Sequence, residues 1–365
     1  MKNFLDRLPG AAVCLGVACV AWLLGRQIPI VGGAVFAILL GMLAGLIRRS
    51  EIFDAGIRFT SKKVLQYSII LLGFEMNMHV ILRVGTQSLF VMLFTLTASF
   101  VTAWIVSRIL HIPGPIAILI GVGTSICGGS AIAATAPVIR AKDEEVAQAI
   151  SVIFLFNIIA VFLFPALGHL MGLSDTGFGM WAGTAVNDTS SVVAAASSWS
   201  QRVGNNTALQ FATVVKLTRT LMIVPITLVL AFYISRKEKR AAALRAADAK
   251  AVNQPTDIGT DPDVQTGDPK TPAPAYSFAR IFPWFVLGFV AAALAYTFLP
   301  IPQAVSSFLV EAGKFLIIMA MAAIGLQTNM RKLLTQSGKP LFLGLCCWGA
   351  VACVSLLVQF LTNLR

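Results

Sequence analysis

The sequence predicts an all-α integral membrane protein with about eleven membrane-spanning helices. Hydrophobic residues make up 57% of the 365 residues and charged residues only 12%, which is far more apolar than a soluble domain of this length. Apolar runs close to the ~20 residues that cross a bilayer also recur along the whole chain. They cover residues 10–25, 28–47, 63–82, 86–110, 113–138, 147–171, 176–198, 208–234, 281–300, 304–326 and 340–363.

The first apolar run has the charge pattern of a signal peptide, because Lys2 and Arg7 precede it. A second run follows it directly, so we expect it to remain as a membrane helix. Positive residues then collect in alternate loops, which predicts a cytoplasmic N-terminus and a C-terminus on the opposite side. These loops contain Arg48, Arg49, Arg58, Lys62, Lys63, Arg108, Arg236, Lys237, Lys239, Arg240, Arg245, Arg331, Lys332 and Lys339. The placement of positive residues in the cytoplasmic loops of a membrane protein therefore explains the net charge of +12, and we expect no nucleic-acid partner.

One hydrophilic stretch, residues 235–278, divides the apolar sequence. Residues 253–276 collect Pro, Asp, Thr and Gly with almost no large apolar side chains, which is typical of a flexible linker. We therefore predict a membrane domain of residues 1–234 with eight spans, a partly disordered cytoplasmic loop of residues 235–278, and a membrane domain of residues 279–365 with three spans.

The six cysteines all lie inside predicted spans and show no metal-ligand spacing. We expect neither a disulfide framework nor a bound metal, and we interpret five of them as small packing residues. Cys127 is the exception, because it lies within a run of small polar residues.

The sequence aligns with itself without gaps at a shift of 60 residues and at a shift of 252 residues. The aligned residues include Gly123 with Gly183 and Ser130 with Ser190 at the first shift, and Lys62 with Lys314, Gly73 with Gly325 and Asn77 with Asn329 at the second. At the second shift the copies are an odd number of predicted helices apart, as in inverted repeats. At the first shift they are two segments apart, so either one segment is re-entrant or the two share only a site chemistry.

Two predicted spans are interrupted by small polar residues, at residues 123–135 and 183–195. Lipid offers no hydrogen-bond partner to backbone groups, so such sequence is tolerated only where protein or a wet cavity surrounds it. In each case a Gly/Ser/Thr run precedes a short helical stretch, and a helix start exposes N–H groups at its positive end. Close helix packing is the alternative use of small residues. Two such spans in one chain favour an anion-binding site.

Ionisable residues inside predicted spans are few, and such residues are usually functional. Lys216 and Arg219 are three apart on one helix face and need a partner, either Asp188 or a bound anion. Glu311 and Lys314 are predicted to pair with each other near the outer interface. Asp188 is the candidate to carry a coupling proton or sodium ion. The candidate substrate-binding residues are Thr124, Ser125, Cys127, Gly128, Gly129, Ser130, Asn187, Thr189, Ser190, Lys216 and Arg219.

Glu75 and Asn77 lie near the outer end of the third predicted span, and the repeat places Gln327 and Asn329 at the matching positions. We interpret Asn77 and Asn329 as lining the two mouths of a pathway, and Glu75 as a second coupling residue. Helix capping is the alternative role for both asparagines.

Four stretches resemble the YeiH-type sulfate exporter family of bacterial inner-membrane proteins. They are residues 121–134 (GVGTSICGGSAIAA), 182–194 (AGTAVNDTSSVVA), 215–219 (VKLTR) and 72–77 (LGFEMN). The resemblance implies an inverted-repeat fold similar to bile-acid symporters and sodium/proton antiporters. In that fold a core domain with interrupted, crossing helices moves against a scaffold domain, often within a homodimer. It also implies the bacterial inner membrane, with the C-terminus periplasmic, and small oxyanion substrates such as sulfate, sulfite or sulfonates.

These observations together predict a secondary active transporter that exports a small anion by an alternating-access or elevator mechanism. The anion is expected between residues 125–130 and 187–191, facing Lys216 and Arg219, with H⁺ or Na⁺ as the coupling ion and no cofactor. Arg219→Ala is expected to abolish transport without abolishing expression. The alternative is a cation/proton antiporter that uses Asp188. An intramembrane enzyme or sensor is disfavoured, because the sequence shows no catalytic spacing and no soluble signalling domain.

Overall fold

The computed structural model describes residues 6–28, 32–46, 50–223, 284–328 and 338–362, together with residues 225–227, 229, 230, 232 and 236. Regular secondary structure in these ranges is entirely helical. The α-helices are α1 (Leu8–Gln27), α2 (Gly33–Gly45), α3 (Asp54–Phe59), α4 (Leu65–Leu72), α5 (Met78–Leu110), α6 (Gly114–Ser125), α7 (Gly129–Thr135), α8 (Asp143–Leu170), α9 (Asp175–Ala185), α10 (Thr189–Val203), α11 (Thr207–Leu221), α12 (Trp284–Phe298), α13 (Gln303–Gln327) and α14 (Gly338–Leu361). Almost all of the predicted loop at 235–278, and Asn329, lie outside the described residues.

Within the described ranges, six helices are long and apolar enough to cross a membrane. They are α1, α5, α8, α13, α14 and the helix that begins with α11 and runs over Thr207–Thr227. Several of the other predicted spans form shorter pieces, and a 12-residue helix such as α6 is only about 18 Å long. The structure therefore supports a helical protein with about six candidate spans, and the number eleven stays a prediction.

The third predicted span differs from a single regular helix. A π-helical turn, Thr60–Val64, joins α3 to α4, and a 3₁₀ turn, Gly73–Glu75, follows α4. The next helix then begins at Met78, earlier than the predicted residue 86, because the Asn77 side chain accepts a hydrogen bond from the His79 N–H at 2.9 Å. Asn77 is thus a helix cap, the alternative role considered for it above.

The helices pack in two groups. A scaffold group consists of α1–α4, α12 and α13, and a core group consists of α5–α11 and α14. Helix α10 of the core group packs against α2 and α13 of the scaffold group, and α12 of the scaffold packs on α5 of the core. Helix α10 therefore lies at the boundary between the two groups.

The scaffold group depends on close contact between α2 and α13. A Cβ atom added to Gly41 would lie 3.1 Å from the Gly325 Cα and 3.0 Å from the Leu326 nitrogen, and closer still to the Ala322 carbonyl oxygen. Small residues at such positions let membrane helices approach closely enough for dense van der Waals contact. Gly41 and Gly325 therefore set the spacing of these two helices.

We predict that Gly41→Ala destabilises the folded protein by about 1–3 kcal/mol, because the added methyl group forces α2 and α13 apart. The measurement is the apparent unfolding temperature in detergent at a fixed scan rate. Gly16→Ala is the matched control, since no atom lies within 4 Å of a Cβ added there. Equal unfolding temperatures for the two variants would contradict the close contact.

Candidate functional site

Two helices of the core group are broken in the middle, as the small polar runs predict. One break, residues 126–128, separates α6 from α7, and the other, residues 186–188, separates α9 from α10. At Gly128 the backbone adopts φ +68°, a conformation that favours glycine. A Cβ atom added to Gly128 would lie 3.7 Å from the Asp188 Cβ, so the two breaks meet. We call this meeting point, residues 126–128 with residues 186–188, the crossing.

Arg219 joins the two broken helices at the crossing. Its Nε donates to the Ser125 carbonyl oxygen at 2.8 Å, and its terminal nitrogens donate to the carbonyl oxygens of Thr124 and Thr184. The Arg219 side chain is fully buried. One guanidinium group therefore binds the carboxyl ends of both α6 and α9.

Lys216 makes the equivalent contacts one helical turn away. Its Nζ donates to the carbonyl oxygens of Ile126 and Val186, each at 3.0 Å, and to that of Asn187. An ammonium group has three hydrogens to donate, and here three carbonyl oxygens accept them. Lys216 is also fully buried.

These contacts add a structural role for Lys216 and Arg219, and a role in anion binding stays a prediction. The sequence predicted that they face a bound anion or pair with Asp188, whereas the structure directs them to backbone carbonyl groups. The reason is that a helix end leaves carbonyl groups without partners and carries negative partial charge, which a cation stabilises. The Asp188 carboxylate instead accepts hydrogen bonds from the N–H group of Ser190, at 3.0 Å, and from its hydroxyl.

Small residues on α9 bring α11 close enough for these contacts. A Cβ atom added to Gly179 would lie 2.6 Å from the Phe211 Cβ, and one added to Gly183 would lie 2.7 Å from the Val215 Cβ. The hydroxyl of Thr184 also reaches the Ser355 hydroxyl of α14 at 2.6 Å. The Gly183-Thr184 pair of the internal similarity thus has a packing role as well as a position next to the break.

The residues that follow the two breaks, at the amino ends of α7 and α10, line a cavity of about 540 Å³. Five of the predicted site residues line it: Gly129, Ser130, Asp188, Thr189 and Ser190. The other predicted residues, Thr124, Ser125, Cys127, Asn187, Lys216 and Arg219, are buried, and Gly128 forms the break itself. The structure therefore divides the predicted set into a buried group that holds the crossing and a group that lines the cavity.

Five polar residues that sequence reasoning did not assign to the site also line the cavity: Ser61, Lys62, Gln66, Asn157 and Gln327. Lys62 lies on the π-helical turn, a feature that is frequent at functional sites. Gln327 donates to the Ser61 hydroxyl at 2.8 Å, and Asn157 accepts the Asp188 N–H at 3.1 Å. The internal alignment pairs Lys62 with Lys314 and Glu75 with Gln327, but the sequence pattern predicts Lys62 only as a positive residue of a cytoplasmic loop.

Glu75, Glu311 and Lys314 lie toward the other end of α10. The Glu75 carboxylate accepts hydrogen bonds from the Asn206 side chain at 2.7 and 3.0 Å. Asn206 lines a second cavity of about 380 Å³, together with the last residues of α10. Glu311 and Lys314 line this second cavity and form the predicted ion pair at 2.6 Å. The two cavities therefore lie at the two ends of α10.

Asn187 is an unusual buried residue at the crossing. Its side chain is 1% exposed, and neither its amide oxygen nor its amide nitrogen has a hydrogen-bond partner among the described residues. The hydroxyl of Thr124 is also buried without a hydrogen-bond partner among the described residues. Buried polar groups without partners destabilise a fold, so these positions are not explained by stability alone.

Comparison with known proteins gives consistent matches along the whole chain. A model of the family described as conserved hypothetical protein 698 matches residues 9–344. A UPF0324 membrane protein of Fusobacterium nucleatum is 45% identical over an alignment of 370 positions. The alignment covers 97% of this chain and 98% of the relative. UPF0324 membrane proteins of Streptococcus agalactiae and Streptococcus pyogenes are 43% identical over 360 residues and 47% identical over 363 residues, with 98% of both chains covered in each case. These names state membrane association and no substrate.

We predict that Arg219→Ala lowers the apparent unfolding temperature in detergent by about 5 °C or more. The substitution leaves three buried carbonyl groups unpaired, and each costs about 1–3 kcal/mol. Arg219→Lys should have an unfolding temperature between those of wild type and Arg219→Ala, because lysine keeps the positive charge but lacks the planar guanidinium group with its several donors. The control is Arg83→Ala at an exposed position of α5. An unchanged unfolding temperature for Arg219→Ala would show that the carbonyl contacts do not hold the crossing together.

Proposed function

The chain belongs to the family described as conserved hypothetical protein 698, and from this premise we propose that it is a secondary active transporter of a small anion and not an enzyme. It is a membrane protein of the UPF0324 group. The proposal places it in the bacterial inner membrane with several spans, a cytoplasmic N-terminus and a periplasmic C-terminus.

The observation that carries this proposal is the pair of broken helices. Irregular backbone at membrane depth is tolerated where it is buried in protein or lines a water-filled cavity. Here the carboxyl ends of α6 and α9 are held by Lys216 and Arg219, while the residues after each break line the 540 Å³ cavity. Paired interrupted helices at the centre of a bundle are typical of secondary transporters.

The charge and polarity of the cavity favour an anion. Lys62 lines the cavity directly, and the buried side chains of Lys216 and Arg219 lie behind it. Among the described lining residues the only carboxylate is that of Asp188. The hydroxyls of Ser130 and Thr189 add hydrogen-bond donors. We propose sulfate, sulfite or a sulfonate as substrate, an assignment that follows from the family resemblance rather than from the cavity.

The packing of α10 supports an alternating-access or elevator motion between the core and scaffold groups. Cavities open at both ends of α10, and polar side-chain contacts cross the boundary beside it. Gln201 accepts the Gly33 N–H at 2.8 Å, and Asn206 donates to Glu75 at 2.7 Å. Contacts of this kind break and re-form when one group slides against the other. In this proposal Glu75 closes one end of the pathway, the protein exports its substrate, and it works as a homodimer.

A cation/proton antiporter is the second candidate function, and the position of Asp188 in the cavity favours it. Two observations weigh against it. The Asp188 carboxylate already caps α10 through Ser190, and fixed cations lie close behind the crossing. A transported cation would therefore meet repulsion from Lys216 and Arg219.

The proposal is tested by counterflow of ³⁵S-labelled sulfate, sulfite and taurine in proteoliposomes. We expect Lys62→Gln to raise the KM for the transported anion about tenfold or more, since a hydrogen bond to a charged group is worth about 1.5–3 kcal/mol. Lys63→Gln is the matched control, because Lys63 is exposed and does not line the cavity. Absence of counterflow with all three anions, combined with sodium-dependent or pH-dependent cation flux, would replace this proposal with the antiporter.

A second test separates function from folding at Asn187. We predict that Asn187→Leu leaves the unfolding temperature unchanged or raised, because it removes a buried polar group without a protein partner, and that it lowers counterflow about tenfold. Thr135→Val is the control, since the Thr135 hydroxyl is also buried without a partner among the described residues but lies outside the crossing. Full transport in Asn187→Leu would remove Asn187 from the binding site.

A further inference from the structure

We infer that the ion coupled to anion transport is a proton carried by Asp188, and that the crossing has no binding site for sodium. This inference rests on the proposed function, to which it adds the identity of the coupling ion. Three features of the site support it, namely the occupied carbonyl groups of the crossing, the position of Asp188 and the charges around Asp188.

Sodium sites in transporters with broken helices are built from unwound backbone carbonyl groups and half-helix carboxyl ends. In this protein the corresponding oxygens already accept hydrogen bonds from cations that are part of the chain. Those oxygens belong to Thr124, Ser125, Ile126, Thr184, Val186 and Asn187. A sodium ion bound there would have to displace Lys216 or Arg219 and would lie beside the other positive charge. The two side chains thus take the place of coupling cations and stay there through the transport cycle.

Asp188 has the position that a proton carrier needs. Among the described residues that line the 540 Å³ cavity it is the only acidic one, so protons can reach it from water in the cavity. Both recorded hydrogen bonds to its carboxylate, from the N–H and the hydroxyl of Ser190, go to Oδ2. Its Oδ1 therefore accepts a proton without loss of the helix cap.

The charges around Asp188 link proton binding to anion binding. Lys62 lines the same cavity from the scaffold group, Lys216 and Arg219 of α11 bind carbonyl groups of the two breaks, and Cys127 lies in the opposite break. With an ionised Asp188 these three cations and one carboxylate carry +2, and protonation of Asp188 raises the total to +3. A bound anion is repelled by the carboxylate and not by the neutral acid. Proton and anion therefore strengthen each other's binding, and the linkage is reciprocal. The proton leaves the cell together with the anion, so export is driven by the outward gradient of the anion and not by the inward proton gradient.

The inference is tested in proteoliposomes that contain a pH-sensitive dye and receive an inward gradient of ³⁵S-labelled sulfate or sulfite. Anion uptake and the internal pH are followed together, with sodium or choline as the external cation. The variants are wild type, Asp188→Asn, and Glu144→Gln as the control at an exposed acidic residue of α8. Asparagine is as good an N-cap as aspartate, so Asp188→Asn should still fold.

For wild type and Glu144→Gln we expect the anion gradient to acidify the interior, with the same rate in sodium and in choline. For Asp188→Asn we expect anion counterflow without acidification, because asparagine cannot carry a proton. A severalfold stimulation by sodium in wild type, or acidification by Asp188→Asn equal to that of wild type, would overturn the inference while leaving the anion transporter intact. No anion flux in wild type under any condition would overturn the proposed function and this inference with it.

If Asp188→Asn is not recovered in folded form, Asp188→Glu supplies the second measurement. Glutamate keeps an ionisable carboxyl group, so acidification should persist and its pH dependence should shift relative to wild type. Acidification with an unchanged pH dependence in Asp188→Glu would assign the coupled proton to another residue.

Discussion

The rest of the structure depends on one interaction, the hydrogen bonding of Lys216 and Arg219 to the carbonyl groups of two broken helices. A break inside a bundle of apolar helices exposes backbone oxygens that neither lipid nor a regular helix can satisfy. Two buried cations on one face of α11 satisfy six of them at once. Their charge also opposes the negative ends of the α6 and α9 dipoles. Because the donors reach both helices, the breaks are held together as one crossing.

This arrangement explains the asymmetry of the site. The carboxyl ends of the broken helices are closed by side chains of the protein, whereas the residues that follow the breaks remain at a cavity wall. Asp188 lies between the closed carboxyl ends and the cavity wall, since its backbone belongs to a break and its carboxylate caps α10. A ligand that enters the cavity therefore meets hydroxyls, amides and Lys62 first, and the buried cations act on it only through their field.

In the proposed transport function, the same asymmetry connects the site to movement between the core and scaffold groups. Helix α10 carries the cavity-lining residues Thr189 and Ser190 at its start and also contacts α2 and α13 of the scaffold group. Within the scaffold, Gly41 and Gly325 let α2 and α13 pack at close range. A tightly packed scaffold and a crossing tied together by charged groups are two units that can each stay intact while the boundary beside α10 changes. That is the mechanical requirement for exposing one site to two sides of a membrane.

Sequence patterns were enough to predict a helical membrane protein, the positions of both helix breaks and charged side chains of Lys216, Arg219 and Asp188 beside them. These follow from local rules, because apolar run length, glycine-rich interruptions and charges in apolar segments each have a cost that only a few structures can offset. The tertiary structure alone decided what the charges touch. Spacing places Lys216 and Arg219 on one face of α11, but the carbonyl groups they bind lie about 30 to 95 residues away in sequence. It also decided that the π-helical turn of another helix brings Lys62 to the cavity, since a π turn and a contact between distant helices leave no periodic pattern in the sequence.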